Sequence, residues 1–312
     1  MISKNLDPNT SQEGLHPIPE QRHTPQSLTT PEYELAAADL ANFKMVLIEN
    51  GPVFALAGNA HDPDLLGMIQ TIKGENRGIQ QPVGLVSPFD APIGDGLDAI
   101  DAIDIDAIHE TNLQRLAIDP ELLTRRIGAL AFLRGPADLR VKEAAILPNS
   151  IVPSQHGTSI QIFSPVGNPR GERFVSMTAD KGVRLVMTSA NISKDPEIVD
   201  VNAAWKFAAA QDSEMIVLHQ YAPGEKPHRP RGSYPTFEIG RALTIVRAGF
   251  VELDLLKSLF SDFEVQVAVG DKFKATKYPD NVIRRQDLPA PYRKLEQDDL
   301  RSAILETFGF QD

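Results

Sequence analysis

Cysteine is absent from all 312 residues. That excludes disulfides, thiolate nucleophiles and cysteine-rich zinc sites. No apolar run reaches the length of a membrane span, and the first residues lack the apolar core of a secretory signal. A cytoplasmic protein with no membrane contact is therefore expected. An excess of positive charge is also missing, since 31 Lys and Arg face 42 Asp and Glu for a formal net charge of −11. Unspecific binding to nucleic acid needs a positive field, so only a local basic strip is left for that role. The single tryptophan, Trp205, lies in a helical stretch and reads as core rather than as a stacking platform.

What remains is an ordinary globular composition, 42% hydrophobic and 23% charged, with room for one large domain or two modest ones. Residues 1–29 are rich in Pro, Ser, Thr, Asn and Gln and cannot bury enough surface to offset chain entropy, which predicts a disordered tail. Thr30-Pro31 followed by Glu32 and Glu34 opens a helix expected to run to about Glu49. Pro52–Leu56 reads as a core strand broken at Gly58. Asp62-Pro63 starts a second helix with Leu65, Leu66, Met68, Ile69 and Ile72 on one face. Further strands are expected at 82–86, 127–133, 159–163, 183–187, 215–218, 236–239 and 243–247. Helices are expected at 120–126, 168–178 and 201–210. The whole reads as one α/β domain over 30–258 with a short C-terminal extension over 259–312 that ends in an amphipathic helix near Leu300–Phe308. The Asp-Ala-Ile repeat around Asp98–Ile103 lacks the glycine and final glutamate of a calcium loop, and no metal site is assigned to it.

Three stretches could carry chemistry. Val183–Met187 is a buried-strand run that gives way abruptly to Thr188, Ser189, Ala190 and Asn191, small donors and acceptors that leave room for a polar ligand. The same residue types cap helices and make turns, so a turn and a site are both compatible with the local pattern. Lys73-Gly-Glu75-Asn-Arg77-Gly puts glycines around two cations, which suits either an anion site or a glycine-capped helix end. Lys226, His228, Arg229 and Arg231 form a proline-rich basic loop. His156-Gly-Thr158 lacks the glycine-flanked serine of a hydrolase elbow.

Taken together, four separated stretches resemble the threonylcarbamoyl-AMP synthase family, the YrdC-like proteins. They are Gly51-Pro-Val-Phe-Ala-Leu with Ala60-His-Asp-Pro; Ile69-Gln-Thr-Ile-Lys73-Gly with Gln81-Pro-Val-Gly-Leu85; Met187-Thr-Ser189-Ala-Asn191-Ile-Ser193; and Pro235-Thr236 with Ala242-Leu-Thr-Ile-Val-Arg247-Ala-Gly249. The third is the most specific. The resemblance spans roughly Ala38 to Asp254 and implies a twisted mixed sheet of the YrdC-like type with flanking helices. It implies ATP-dependent formation of an acyl- or carbamoyl-adenylate, from L-threonine, bicarbonate and ATP in the family, as a step toward transfer-RNA modification. It implies that Lys73 and Arg77 meet ATP phosphates, that Thr188, Ser189 and Asn191 hold nucleotide or acyl-adenylate oxygens, and that Thr236 and Arg247 line the nucleotide end. Mg²⁺ would accompany the ATP.

The departures are equally specific. The family's Thr-Asp-Thr-x-Tyr-Gly-Leu segment is missing after Leu56, where Ala57-Gly58-Asn59-Ala60 follows instead. Its Lys-Gly-Arg is Lys73-Gly74-Glu75 here; Arg77 offers a replacement cation, whereas Glu75 would repel phosphate. A strand arginine before proline is Phe163 here, which exchanges ion pairing for packing. The acceptor half of the reaction is thus altered more than the nucleotide half. A non-catalytic relative that binds nucleotide or RNA through the basic loop, and a regulatory protein acting through its tail, are the competing readings.

Overall fold

The computed structural model describes residues 31–73, 83–94, 96–104, 119–138, 151–154, 157–191, 195–211, 215–219, 232–270, 273–275, 279–295 and 297–308. The proposed tail, Arg77 and the Lys226–Arg231 loop lie outside them.

In chain order the strands are β1 (Val46–Asn50), β2 (Val53–Asn59), β3 (Gly84–Val86), β4 (Pro92–Gly94), β5 (Leu97–Asp98), β6 (Phe132–Pro136), β7 (Ile151–Ser154), β8 (Gly157–Phe163), β9 (Leu185–Ser189), β10 (Val217–Leu218), β11 (Thr236–Ile239), β12 (Leu243–Arg247) and β13 (Val265–Val267). The helices are α1 (Pro31–Ala41), α2 (Leu65–Lys73), α3 (Pro120–Ile127), α4 (Pro169–Ala179), α5 (Val201–Ala209), α6 (Leu253–Ser258) and α7 (Asp298–Phe308). Eleven strands form one mixed sheet in the order β10-β1-β2-β9-β3-β8-β6-β11-β12-β13, with β7 paired to β8; β4 and β5 make a separate ribbon. This is the α/β architecture with a large mixed sheet that the sequence led us to expect.

Local chemistry explains the helix starts. Asp119 Oδ1 accepts from Leu122 N at 2.8 Å with Pro120 as the first helical residue, and Asn168 Oδ1 accepts from Gly171 N at 3.2 Å ahead of α4. Three boundaries differ from the sequence reading. The first helix stops at Ala41, Phe43 takes a φ of 60°, and 46–50 is a strand rather than a continued helix. Val46-Leu47-Ile48 fits either element by pattern. Partners decide it, because β2 pairs on one side and β10 on the other. β2 does not break at Gly58 but continues to Asn59, all seven residues buried, because Leu65 of α2 packs where a Cβ at Gly58 would stand (2.4 Å from Cδ1). Ile127 ends α3 instead of opening a strand, and β6 begins at Phe132 after a turn.

One buried cluster runs from Ala36 to Leu305, and the residues after 259 belong to it. β13 extends the sheet beside β12 in parallel, and Leu288, Leu300 and Ile304 are fully buried. Arg126 on α3 fastens this region. It is 3% exposed; Nη1 donates to the Leu259 carbonyl at 2.7 Å, and Nη2 to Asp262 Oδ2 at 3.1 Å and Gln297 Oε1 at 3.3 Å. Removing a buried cation strands the groups built around it. Arg126→Met is therefore expected to lower unfolding stability by about 2–4 kcal/mol, measured by urea denaturation; a loss within ~0.5 kcal/mol would show that Arg126 does not fasten the region.

Tyr33 on α1 packs edge-on against Phe174 of α4, with ring centroids 5.6 Å apart. Burial, opposed by Arg170 and aided by Glu49 and Glu32, pushes its phenol up to about 12 from the ordinary 10.0. Between pH 10 and 12 the unfolded chain releases this proton while the folded protein keeps it, so stability is present below pH 10 and lost as pH rises through that window. The loss from this one group is expected to be about 1 kcal/mol between pH 9 and pH 11 and about 2 kcal/mol between pH 10 and pH 12. It disappears in Tyr33→Phe, which denaturation curves at pH 9 and pH 11 would reveal.

Candidate anion site at the end of the fourth sheet strand

The site forms where strands part. β8 is shared along one edge by two neighbours, β3 beside residues 161–163 and β7 beside 157–160. The described pairing between β3 and β9 ends at Gly84 and Met187, so Thr188 and Ser189 run on past it, held on the other side by Leu56 and Ala55 of β2. Open α/β sheets hold ligands at such divergences. The Ala190 amide then donates to the Phe54 carbonyl at 2.8 Å, which fixes the turn onto β2.

Lys73, the last residue of α2, meets this turn from 116 residues away in sequence. Leu65 and Ile69 bury the helix's apolar stripe, which aims its end at β9. Lys73 is 5% exposed, and its ammonium donates to the Ser189 carbonyl, to Ser189 Oγ at 3.3 Å, to Asn191 Oδ1 at 3.4 Å and to Thr188 Oγ1 at 3.5 Å. These four oxygens are neutral acceptors that orient the ammonium. Ser189 Oγ donates to Asn191 Oδ1 at 2.7 Å, and Asn191 Nδ2 donates to the Asp195 carbonyl at 2.9 Å. Lys73, Thr188, Ser189 and Asn191 thus form one hydrogen-bonded group. The 188–191 stretch divides: Thr188 and Ser189 are the last residues of β9 rather than lying past its end, and the bend at Ala190 and Asn191 brings the Asn191 amide to Lys73.

Thr236 and Arg247 form a second group. They are register partners on β11 and β12, Thr236 is 2% exposed, and Arg247 is half-buried. β9 and β11 are four strands apart in sheet order, about 19 Å on a flat sheet. The segment after Asn191 ties the two groups together: Asp195 accepts from Asn191, and two residues on Glu197 Oε1 accepts from Ser233 Oγ at 2.6 Å, beside β11. Burial holds the Arg247 guanidinium below its ordinary pKa, the neighbouring Arg134 lowers it further, and Glu197 works in the opposite direction.

No site role is read from the sequence for Arg134, Gln161 or Glu238. Arg134 stands opposite Gln161 of β8 and Glu238 of β11 in register; Nη2 donates to Gln161 Oε1 at 2.9 Å, and Nη1 lies 3.8 Å from Glu238 Oε2. The usable signal was strand alternation, since a polar residue at the centre of each of three adjacent strands marks one row on one face. Phe163, where the resemblance leads one to expect arginine, is 2% exposed and packs with Phe132 and Tyr234 at centroid distances of 5.0 and 4.9 Å. Phe132 reaches over Gly84, whose absent Cβ would stand 2.4 Å from the ring. The position is aromatic packing, with no room kept for a cation.

No protein-family model matches the chain, and no curated protein matches it. Solved structures do. Sua5 of P. abyssi complexed with L-threonine aligns over 79% of this chain and 64% of its own, at 15% identity and a TM-score of 0.53. A doubly substituted P. abyssi Sua5 aligns over 77% and 63% at 14% identity with a TM-score of 0.53, and a hypothetical protein from Streptococcus mutans over 80% and 95% at 11% identity with a TM-score of 0.51. The fold is that of the Sua5 and YrdC-like proteins. The chain spans just under two thirds of the length of the two Sua5 structures. Among the described residues no helix is long and apolar enough to cross a membrane.

Proposed function

We propose that the protein binds ATP in the divergence between β9 and β3 and converts a carbamate or carboxylate into its adenylate, releasing pyrophosphate. The observation that carries this reading is the Lys73 ammonium gathered with Thr188, Ser189 and Asn191 from opposite parts of the chain. A point charge beside two hydroxyls and an amide suits phosphate oxygens, which accept from all of them. Thr236 and Arg247 extend the same site toward the rest of the nucleotide, tied in through 195–197.

In this reaction an oxygen of the carbamate attacks the α-phosphorus of ATP, the bond to the β-phosphate oxygen breaks, and pyrophosphate leaves with its electron pair. Charge builds on the α-phosphate oxygens at the transition state. Lys73, already oriented by neutral acceptors, stabilises it without reorganising. Asn191 and Ser189, which hold one another, keep the donors in place as the phosphate arrives. No covalent nucleophile is required. Among the described residues no three His, Asp or Glu side chains cluster as a cation cage. Lys73, Thr188, Ser189 and Asn191 would hold the phosphates, and Mg²⁺ accompanying the ATP would neutralise part of their charge.

The acceptor is a small amino acid or another carbamate former. The L-threonine bound by the Sua5 structure supports an amino acid, and the packed Phe163 together with the shortened segment after Leu56 supports an acceptor other than threonine. The test is incubation of the full chain with ATP, Mg²⁺, bicarbonate and single amino acids, following pyrophosphate. Release that depends on one amino acid is the expected result. No release with any of them, alongside nucleotide binding by calorimetry, would leave a binding protein and remove the enzyme; RNA added to the same titrations tests the remaining ligand class.

A further inference from the structure

Lys73 accounts for one cationic centre, and a second lies on the sheet itself. Arg134 and Arg247 are both half-buried, on strands separated only by β11, and the Arg134 charge disfavours that of Arg247. Each has one carboxylate acting on it, Glu238 for Arg134 and Glu197 for Arg247. Among the described residues Glu197 is the carboxylate that favours the charged form of Arg247, against burial and the Arg134 charge. Arg134 spends one N–H on the neutral amide of Gln161, its Nε is buried without a partner, and its single carboxylate neighbour, Glu238, stands 3.8 Å away, beyond hydrogen-bond reach. Each guanidinium carries five donors. Two such forks, half-buried and with N–H groups to spare, describe a seat for an oxyanion, because an added negative charge offsets the neighbouring positive charge and satisfies the donors together. The aromatic group of Phe132, Phe163 and Tyr234 lies alongside, since Phe132 and Thr236 are register partners one pleat from Arg134 and Glu238.

We propose that Arg134, together with Arg247, forms a second oxyanion seat that takes a phosphate or carboxylate bound to an apolar or planar body, and that Glu238 holds Arg134 in place while the seat is empty. This rests on the adenylation reading for the role of Arg247 and adds Arg134 as a binding residue of the same site. On ligand entry Arg134 releases the long contact to Glu238 and keeps the hydrogen bond to Gln161.

The experiment is calorimetric titration of the full chain, Arg134→Gln and Glu238→Gln with ATP, AMP, adenosine, pyrophosphate and L-threonine, with thermal melts as a folding control. Arg134→Gln is expected to weaken at least one anionic ligand by roughly tenfold or more while adenosine is unaffected. Equal losses for ATP and AMP assign the oxyanion to the nucleotide, and a loss confined to threonine assigns it to the acceptor's carboxylate. Glu238→Gln, which removes the competing carboxylate, is expected to tighten the same ligand about threefold. Should Arg134→Gln not fold, Glu238→Gln decides alone: tighter binding supports the seat, and unchanged or weaker binding overturns it. A folded Arg134→Gln with every affinity unchanged, or no binding of any of these ligands by the unaltered protein, also overturns it. Loss in Lys73→Met with none in Arg134→Gln keeps the adenylation reading and rejects the seat, and the reverse pattern keeps the seat and rejects the triphosphate site at Lys73.

Discussion

Lys73→Met is expected to reduce ATP affinity and any ATP-dependent pyrophosphate release by about a hundredfold or more, the scale seen when one preorganised donor is taken from a developing oxyanion. The variant keeps the buried stem of the side chain and removes only the ammonium. Fold damage should be small, because Ser189 Oγ still donates to Asn191 Oδ1 and Asn191 Nδ2 still donates to Asp195. A stability change of about 1–2 kcal/mol is expected from the lost contacts to the Ser189 carbonyl and its neighbours. Calorimetry with ATP and a pyrophosphate assay, run beside a thermal melt, separate the two effects. Lys73→Arg should not restore activity, since a planar fork cannot take the place of a point donor among four close oxygens. Unchanged ATP binding in a folded Lys73→Met would place the phosphates elsewhere.

Gly249→Ala is expected to cost about 3 kcal/mol or more, or to prevent folding. Gly249 takes a φ of 62°, which L residues avoid, and an added Cβ would lie 2.3 Å from the Ser233 carbonyl oxygen, 2.5 Å from Pro235 N and 2.6 Å from Tyr234 C. All three are backbone atoms, so no side chain can swing aside. The pressed segment carries Ser233, which donates to Glu197, and Tyr234, which packs on Phe163 and Phe250. Displacing it also disturbs Thr236, the register partner of Arg247. Urea denaturation reads the stability, and a loss below ~1 kcal/mol would show that 233–235 yields easily and does not set the site's geometry.

The parts of the molecule legible beforehand share one property: each is decided by residues near in sequence. α4 and α5 were readable because caps and starts act within four residues, Asn168 on Gly171 and Asp200 on Ala203. β11 and β12 were readable at their full extent, 236–239 and 243–247. The extent of α1, the identity of 46–50 and the length of β2 were not, because Val46-Leu47-Ile48 and Ala57-Gly58 take their conformation from β10, β2, β9 and Leu65, all distant along the chain. The same division runs through the site. Thr188, Ser189 and Asn191 announce themselves as a polar stop after an apolar run, whereas Arg134, Gln161 and Glu238 look like unremarkable strand residues until three strands are laid side by side.

The sequence by itself determined the composition class, the starts and caps of the helices, the closing strands and the small polar residues that end β9, because these depend on short-range sterics and hydrogen bonds. Only the tertiary structure decided that the Lys73 ammonium reaches Ser189 rather than solvent, that Phe163 is packed as a ring, and that Arg134 and Arg247 stand on strands separated only by β11. Sheet order is the physical reason: which strands become neighbours is set by burial summed over the whole chain, and no local pattern carries that sum.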